Sequence, residues 1–326
     1  MMPSFEYVRA RSVNNAIALL SAPNARIHAG GTDLLGCMRD KIFAVGRVVA
    51  VKDLPGLSGI KENHGDVAVG ALTTVAQLAA SPIVASFFPG LAVAAGEVAS
   101  PQLRNQGTVG GNLCQKPRCW YYRGDFNCLR KGGDNCFAVS GENRFHCVLG
   151  GDNCFMVHPS DVAPMLIALG ASATVKGPIG TRRVAVENLY VRPSDDPRRE
   201  TVLDANEIIV EAVIPKPSPR HYSHYRKIRA RRSWDFALAG IALALRFEGS
   251  RVGMARVVLS GAAPVPWRSR EVEEAITGRN LDDQTIAAAA SIIMKQAAPL
   301  SQNAHKVTLF EAAIEEELRK AAGRNA

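Results

Sequence analysis

Six of the seven cysteines lie within residues 114–154, in a segment otherwise rich in glycine, asparagine and charged side chains. Its first part, residues 112–136, reads NLCQKPRCWYYRGDFNCLRKGGDNC. Four of the thiols are spaced as Cys119-x8-Cys128-x7-Cys136-x17-Cys154, which is wider than the CxxC pairs of zinc sites or the tight cysteine run of ferredoxins. Thiolates are soft ligands that suit both zinc and iron–sulfur clusters. The spacing therefore leaves open a [4Fe–4S] cluster, a zinc ion and metal-free thiols.

Cations and aromatic residues accompany these thiols. A cluster bound by thiolates carries net negative charge, so neighbouring cations would stabilise it and raise its reduction potential. Five are close in sequence: Lys116, Arg118, Arg123, Arg130 and Lys131. Three aromatic residues, Trp120, Tyr121 and Tyr122, would exclude water from such a group, although ordinary loop packing would use them equally well.

Two glycine motifs suit an extended anionic ligand. AGGTDLL, residues 29–35, lies between a strand pattern and a helix pattern, and TVGGN, residues 108–112, follows a helix. Paired glycines permit positive φ and close approach of a ligand, and successive backbone N–H groups can cradle a pyrophosphate. Neither motif is GxGxxG or a P-loop, which disfavours those nucleotide folds. Each is also compatible with a simple tight turn, but together they fit a ligand held between two lobes.

Two further motifs contain charged residues beside apolar runs. HPSD, residues 158–161, precedes an apolar helix, so Ser160 or Asp161 is either the helix N-cap or a ligand contact. YRKIRARRSWDFALAG, residues 225–240, places Lys227 on a strand before an apolar run. This lysine belongs either to a solvated basic face or to the surroundings of an electron-rich cofactor.

The elements that must position these residues fall into three parts. Residues 1–60 show a βαβ pattern, and residues 61–179 a second α/β pattern interrupted by an irregular stretch at 116–157. An irregular stretch of this length is unusual inside a domain and indicates either disorder or an external staple. Residues 180–326 show strand runs at meander spacing and then alanine-rich helices. The pattern predicts an α+β protein with a C-terminal domain of antiparallel sheet and helices.

Composition narrows the function classes. The 326 residues are 47 % hydrophobic and 21 % charged, with no apolar run long enough to span a membrane. The N-terminus resembles no secretory signal, so we expect a cytoplasmic protein, or a periplasmic one if a partner subunit carries the export signal. The net charge of +9 is scattered and comes with no nucleic-acid-binding motif. It favours anionic cofactors or an acidic partner over nucleic acid.

Taken in order, AGGTDLL, LRNQGTVGGNL, HPSD, EIIVEAVIP and YRKIRARRSWDFALAG resemble the FAD-binding medium subunits of molybdenum hydroxylases, the xanthine dehydrogenase family. The cysteine-bearing insertion is similar to a narrower group that carries an extra [4Fe–4S] cluster. That group comprises the FAD subunits of heterotrimeric aldehyde oxidoreductases and the beta subunits of 4-hydroxybenzoyl-CoA reductases. QLRNQ, the arginine before the first cluster cysteine and HPSD are closer to the aldehyde oxidoreductase type.

The resemblance implies a role for each matching residue. The FAD pyrophosphate would be wrapped by Ala29, Gly30, Gly31, Thr32, Asp33 and Leu34, and cradled a second time by Thr108, Gly111 and Asn112. Ser160 and Asp161 would bind the ribityl or adenosine side. Ile209 and Lys227 would lie near the isoalloxazine, with Lys227 tuning the flavin. The cluster ligands would be Cys119, Cys128, Cys136 and Cys154, leaving Cys37, Cys114 and Cys147 as non-ligands.

The resemblance also implies a vanillyl-alcohol-oxidase-type FAD fold of two α/β lobes followed by the C-terminal domain. The chain would transfer electrons between two [2Fe–2S] clusters of a small partner subunit and an external acceptor. The molybdenum cofactor and the substrate site would lie on a large partner subunit. Two alternatives remain at this point: reverse electron flow, as in 4-hydroxybenzoyl-CoA reductase, and a stand-alone flavoprotein with a zinc-stapled loop.

Overall fold

Residues 2–232 and 234–325 are described by a computed structural model, and they begin with a small parallel sheet. Its strands lie in the order β1-β3-β2. Ser12 caps the first helix by accepting a hydrogen bond from the Asn15 amide at 3.1 Å. Apolar residues of this helix, such as Ile17 and Leu20, pack with Val49 of the sheet. The elements of this first lobe are β1 (Glu6–Arg9), α1 (Val13–Leu20), β2 (Ala25–His28), α2 (Leu34–Arg39) and β3 (Arg47–Ala50).

The second lobe is a five-stranded antiparallel sheet with helices, in the strand order β4-β5-β8-β6-β7. Its strands are β4 (Ile60–Glu62), β5 (Asp66–Gly70), β6 (Ser172–Gly177), β7 (Gly180–Ala185) and β8 (Ile208–Pro215). Its helices are α3 (Val75–Ala80), α4 (Pro82–Phe87), α5 (Pro89–Gly96), α6 (Pro101–Gln106), α7 (Val109–Leu113), α8 (Trp120–Arg123) and α9 (Val162–Ala168). Of these, α8 lies in the cysteine segment.

The C-terminal domain contains a four-stranded antiparallel sheet in the order β12-β11-β10-β9 and three helices. Along β10 the side chains alternate between two cores. Leu243 and Leu245 pack with the C-terminal helices, whereas Ala242 and Ala244 face the core of the second lobe. The elements are β9 (His221–Ile228), β10 (Ala239–Glu248), β11 (Arg251–Ser260), β12 (Trp267–Arg268), α10 (Arg270–Ile276), α11 (Asp283–Gln296) and α12 (His305–Asn325). Apolar contact on both faces of the sheet fixes this domain against the second lobe.

Two strands pair differently from the grouping expected at residue 180. β7 and β8, which the sequence pattern grouped with the C-terminal meander, pair with β6 of the second lobe, and β8 also pairs with β5. Alternation of apolar residues indicates a strand but not its partners, and the partners here are far apart in the chain. Among the residues that the structure describes, no helix combines the length and apolar character needed to cross a membrane.

Candidate functional site

The two glycine loops lie against each other. Gly31 has φ +71°, which suits glycine, and an added Cβ at Gly30 would lie 1.8 Å from the carbonyl oxygen of Gln106. On the other side of the contact, a Cβ at Gly107 would lie 3.6 Å from Oγ1 of Thr32. Backbone therefore meets backbone where β2 turns into α2 and α6 turns into α7. The structure brings together two motifs that are distant in the sequence.

The second glycine loop is built on the turn into α7. The Thr108 hydroxyl accepts a hydrogen bond from the Gly111 amide at 3.2 Å. Gly110 packs on Ala71, whose Cβ would be 3.0 Å from an added Cβ. At Gly111 the nearest atom to an added Cβ is Oγ1 of Thr108 itself, at 3.1 Å. A side chain at Gly110 would crowd Ala71, and one at Gly111 would crowd the Thr108 hydroxyl that accepts from its own amide.

Ser160 connects the second loop to the HPSD motif. Its hydroxyl donates to Oδ1 of the buried Asn112 at 2.5 Å and accepts from the Ala163 amide at 2.9 Å. Ser160 therefore caps the first turn of α9, and the Asp161 side chain makes no cap bond. This leaves the Asp161 carboxylate available for other partners.

Asp161 forms a buried ion pair with Lys227. The Nζ–Oδ2 distance is 2.8 Å, and the side chains are 5 % and 1 % exposed. The other oxygen accepts from the Tyr225 hydroxyl at 2.7 Å, and Lys227 also donates to the Glu97 carbonyl at 3.1 Å. Burial raises the pKa of Asp161, while the Lys227 charge opposes that rise. Two residues predicted to contact different parts of the ligand thus contact each other, and Tyr225, on the same face of β9, completes the arrangement.

Ser160 and Asp161 line a pocket with a volume of about 140 Å³. The opposite wall comes from the cysteine segment, with Cys119, Trp120 and His146. The segment before β10 contributes further apolar surface, including Phe236. Ligand pockets are typically lined by apolar and aromatic residues with a few polar groups, as this one is. The pocket therefore lies between the HPSD motif and the cysteine segment.

The four cysteines predicted as ligands line one cavity. Its volume is about 20 Å³, and its wall includes Cys119, Cys128, Cys136, Cys154, Tyr121, Tyr122 and Arg130. A hydrogen bond from Cys136 lowers the pKa of Cys154 to about 6; burial opposes this effect and the Arg130 charge adds to it. Within the described residues, no three His, Cys, Asp or Glu side chains converge as ligands of a single metal ion. The four thiols are therefore spread around the wall of one cavity.

Arg130 is the cation that faces this cavity. Its side chain is 1 % exposed, and Nη1 donates to Oε1 of Glu200 at 2.8 Å. Its Nε and Nη2 atoms are buried and make no hydrogen bond among the described residues. Buried N–H donors without partners are rare because their desolvation is not compensated. Four thiols and two unpaired donors around one cavity fit an anionic iron–sulfur cluster.

The other predicted cations bind elsewhere. The Asp33 carboxylate accepts from Arg123 at 2.7 Å, lies 3.0 Å from Arg118 and accepts from the Lys116 amide at 2.8 Å. The first glycine loop is therefore tied to the cysteine segment through Asp33. The Lys116 amine pairs with Glu200. Lys131 donates to the Gly124 carbonyl at 2.7 Å, so that it ties the segment to itself.

The cysteine segment is held by the C-terminal domain. Asn303 donates to the carbonyls of His146 and Cys147, at 3.1 and 3.0 Å. The fully buried Lys306 amine donates to the carbonyls of His146 and Gly261, at 2.9 and 2.7 Å. Burial lowers the pKa of Lys306 to about 8. The irregular segment is thus ordered by protein contacts, which the sequence pattern did not reveal.

The remaining predicted residues lie around these features. Ala29 and Leu34 flank the first glycine turn, and Ile209 is buried on β8 in the core of the second lobe. Cys37, Cys114 and Cys147 do not line the four-thiol cavity. Burial raises the pKa of Cys37 to about 11, that of Cys114 to about 12, and that of Cys147 as well.

Sequence reasoning missed several residues of the site. His146 places Nε2 3.2 Å from Sγ of Cys119, and Glu200 holds Arg130 from the connection between β7 and β8. No local pattern marks either residue. Tyr225 was detectable in principle, because it is two positions before Lys227 on a strand and must share its face.

Comparisons with known proteins identify the family of this chain. Residues 3–217 match the family model described as the FAD binding domain in molybdopterin dehydrogenase, and residues 199–312 match the CO dehydrogenase flavoprotein C-terminal domain. The chain is 33 % identical to the aldehyde oxidoreductase FAD-binding subunit PaoB of Escherichia coli strain K12, over 98 % of this chain and 99 % of that one.

The chain is also similar to carbon monoxide dehydrogenase medium chains, in sequence and in structure. The medium chain from Hydrogenophaga pseudoflava is 29 % identical over 88 % of this chain and 85 % of its own length. A solved structure of carbon monoxide dehydrogenase from that organism, lacking the Mo-pyranopterin moiety, superposes with a TM-score of 0.79. Its identity is 26 %, and the superposition covers 100 % of this chain and 99 % of the other. The expected vanillyl-alcohol-oxidase-type fold is confirmed, and the chain belongs to the family of FAD-binding medium subunits of molybdenum-dependent oxidoreductases.

Proposed function

We propose that this FAD-binding subunit also holds a [4Fe–4S] cluster and transfers electrons within an aldehyde oxidoreductase-type complex. The electrons would pass between [2Fe–2S] clusters of a small partner subunit and an external acceptor. The molybdenum cofactor and the substrate would lie on a large partner subunit. The likeness to an aldehyde oxidoreductase FAD-binding subunit over nearly the whole of both chains supports this choice of complex.

Contacts that link the two glycine loops to each other and to Ser160 support a path for FAD. Gly30, Gly31 and Gly111 would provide the backbone surfaces for the pyrophosphate, as the contacts between the two loops suggest. Asn112 of the second glycine loop accepts a hydrogen bond from Ser160, and Ser160 lines the pocket beside the cysteine segment. Asp161 lines the same pocket, and Lys227 is ion-paired to it.

The cavity lined by all four candidate thiols is the observation that carries the proposal. A zinc ion requires four ligands about 2.3 Å from one point, whereas a cubane cluster requires thiols spread around its corners. Four thiols placed around one cavity wall fit the corners of a cubane cluster, which favours the cluster over zinc. Cys119 lines both this cavity and the larger pocket, so the two sites share a wall.

When bound, FAD and the cluster supply the redox chemistry, and the protein residues bind, orient and shield them. Tyr121 and Tyr122 are largely buried at the cavity wall and would exclude water. The Lys227 amine is fixed by Asp161 and the Glu97 carbonyl, which gives it a defined position from which to tune the flavin.

Analysis of iron, acid-labile sulfide, zinc and flavin in the anaerobically purified complex tests the proposal. We expect one flavin and four irons in excess of those in the small subunit. We also expect an EPR signal of a reduced [4Fe–4S] cluster that disappears in a Cys128→Ser variant. Stoichiometric zinc without the extra iron would favour the zinc-stapled flavoprotein and contradict the cluster.

A further inference from the structure

The buried guanidinium of Arg130 has donors that the protein does not use. Nη1 is paired with Glu200 and also donates to the Arg199 carbonyl at 3.3 Å. Nε and Nη2 make no hydrogen bond of good geometry among the described residues, although the residue is only 5 % exposed. The group that the guanidinium faces on this side is the Cys154 thiol, with which it interacts electrostatically. Arg130 also lines the four-thiol cavity.

The orientation of Arg130 is fixed from the side away from the thiols. Glu200, itself buried, accepts from Arg130 with one carboxylate oxygen, and its other oxygen pairs with the Lys116 amine. A carboxylate held by two cations is a rigid anchor, and the planar fork of arginine transmits that orientation to its remaining N–H groups. The unpaired donors therefore belong to a preorganised group.

Neutralising the Glu200 charge does not explain why Arg130 lies at the cavity with two N–H groups unpaired. The Glu200 charge is already matched by Lys116, so that Arg130 adds a positive charge to the cavity wall. Two buried donors without partners are unfavourable unless an acceptor forms hydrogen bonds with them. Thiolate and sulfide sulfurs are acceptors of this kind, and N–H donation to cluster sulfur raises its reduction potential.

We propose that Arg130 is a positioning residue that donates hydrogen bonds from Nε and Nη2 to sulfur atoms of the [4Fe–4S] cluster and so raises its reduction potential. The inference rests on the proposed function, because it requires the cluster. Glu200 acts through Arg130 by holding the guanidinium plane. No change of protonation is involved, since an arginine remains charged throughout.

The test compares Arg130→Met and Arg130→Lys with the wild-type complex by EPR-monitored redox titration. Methionine removes the charge and the donors, whereas lysine keeps the charge but lacks the fork. We expect the cluster midpoint to fall in both variants, and further in the methionine variant. The [2Fe–2S] and flavin midpoints in the same samples should not shift. Arg144→Met removes an exposed arginine of the same segment and should leave the cluster midpoint unchanged.

Full iron content with a wild-type midpoint in Arg130→Met would overturn the inference. If that variant loses its iron, pulsed EPR on wild-type complex labelled with guanidino-¹⁵N arginine decides the question. Coupling of ¹⁵N to the reduced cluster, lost in Arg130→Lys, supports donation, and its absence from the wild type refutes it. Wild-type protein without the extra iron would instead refute the proposed function, so that the two failures are distinguishable.

Discussion

The ion pair between Asp161 and Lys227 permits a quantitative test of how the site is held together. Replacing Lys227 by methionine keeps the length of the side chain but removes the charge that opposes Asp161. The carboxylate would keep its bond from Tyr225 but lose its counter-charge at a position that is almost fully buried. The Glu97 carbonyl keeps a second donor, Arg229, at 3.4 Å, so the loss is concentrated on Asp161.

Removing one partner of a buried ion pair typically destabilises a protein by about 3–5 kcal/mol. At about 2 °C per kcal/mol, the scale for larger domains, the unfolding midpoint should fall by about 6–10 °C. The assay is thermal unfolding of the intact complex, followed by the rise in flavin fluorescence on release. The double variant Asp161→Asn/Lys227→Met, which removes both charges, should recover most of that loss.

The pH dependence of the loss has a defined sign. Burial raises the pKa of Asp161 in the folded state, and removing Lys227 raises it further. A carboxyl group whose folded pKa is above its unfolded pKa contributes stability at low pH and loses it as pH rises through the folded value. The difference between Lys227→Met and wild type should therefore be smaller at pH 5 than at pH 8. A midpoint within about 1 °C of wild type at pH 8 would refute the reasoning, because a loss of that size corresponds to a surface pair.

Three further predictions concern other parts of the site. Gly30→Ala should reduce the flavin-to-protein ratio several-fold because the methyl group would collide with the second loop, whereas Gly36→Ala, whose Cβ has 3.8 Å of clearance, should retain flavin. Cys128→Ser should lose the extra iron, and Cys147→Ala, which alters a thiol outside the cavity, should keep it; equal iron in both would contradict the ligand assignment. Lys306→Met removes bonds to the cysteine segment and should accelerate its amide hydrogen exchange by about tenfold or more, as loss of roughly 1.4 kcal/mol or more of local stability implies.

Local signals were sufficient for much of the architecture. The alanine-rich C-terminal helices and the strand that carries Lys227 were readable because periodicity depends on neighbours in the chain. The two glycine turns were also recognisable, since positive φ and close backbone approach restrict the residue type. The cysteine-rich segment stood out by composition, and the family resemblance singled out four of its six thiols.

The tertiary structure decided which of these residues meet. It pairs β8 with β5 and β6, joins Asp161 to Lys227, and selects Arg130 from five cations as the one that faces the thiols. It also orders the irregular cysteine segment through Asn303 and Lys306. These contacts join residues that are far apart in the sequence, and their partners are chosen by packing and burial of the whole chain. Residue type and spacing determined the candidates for chemistry, whereas only the folded chain determined their partners.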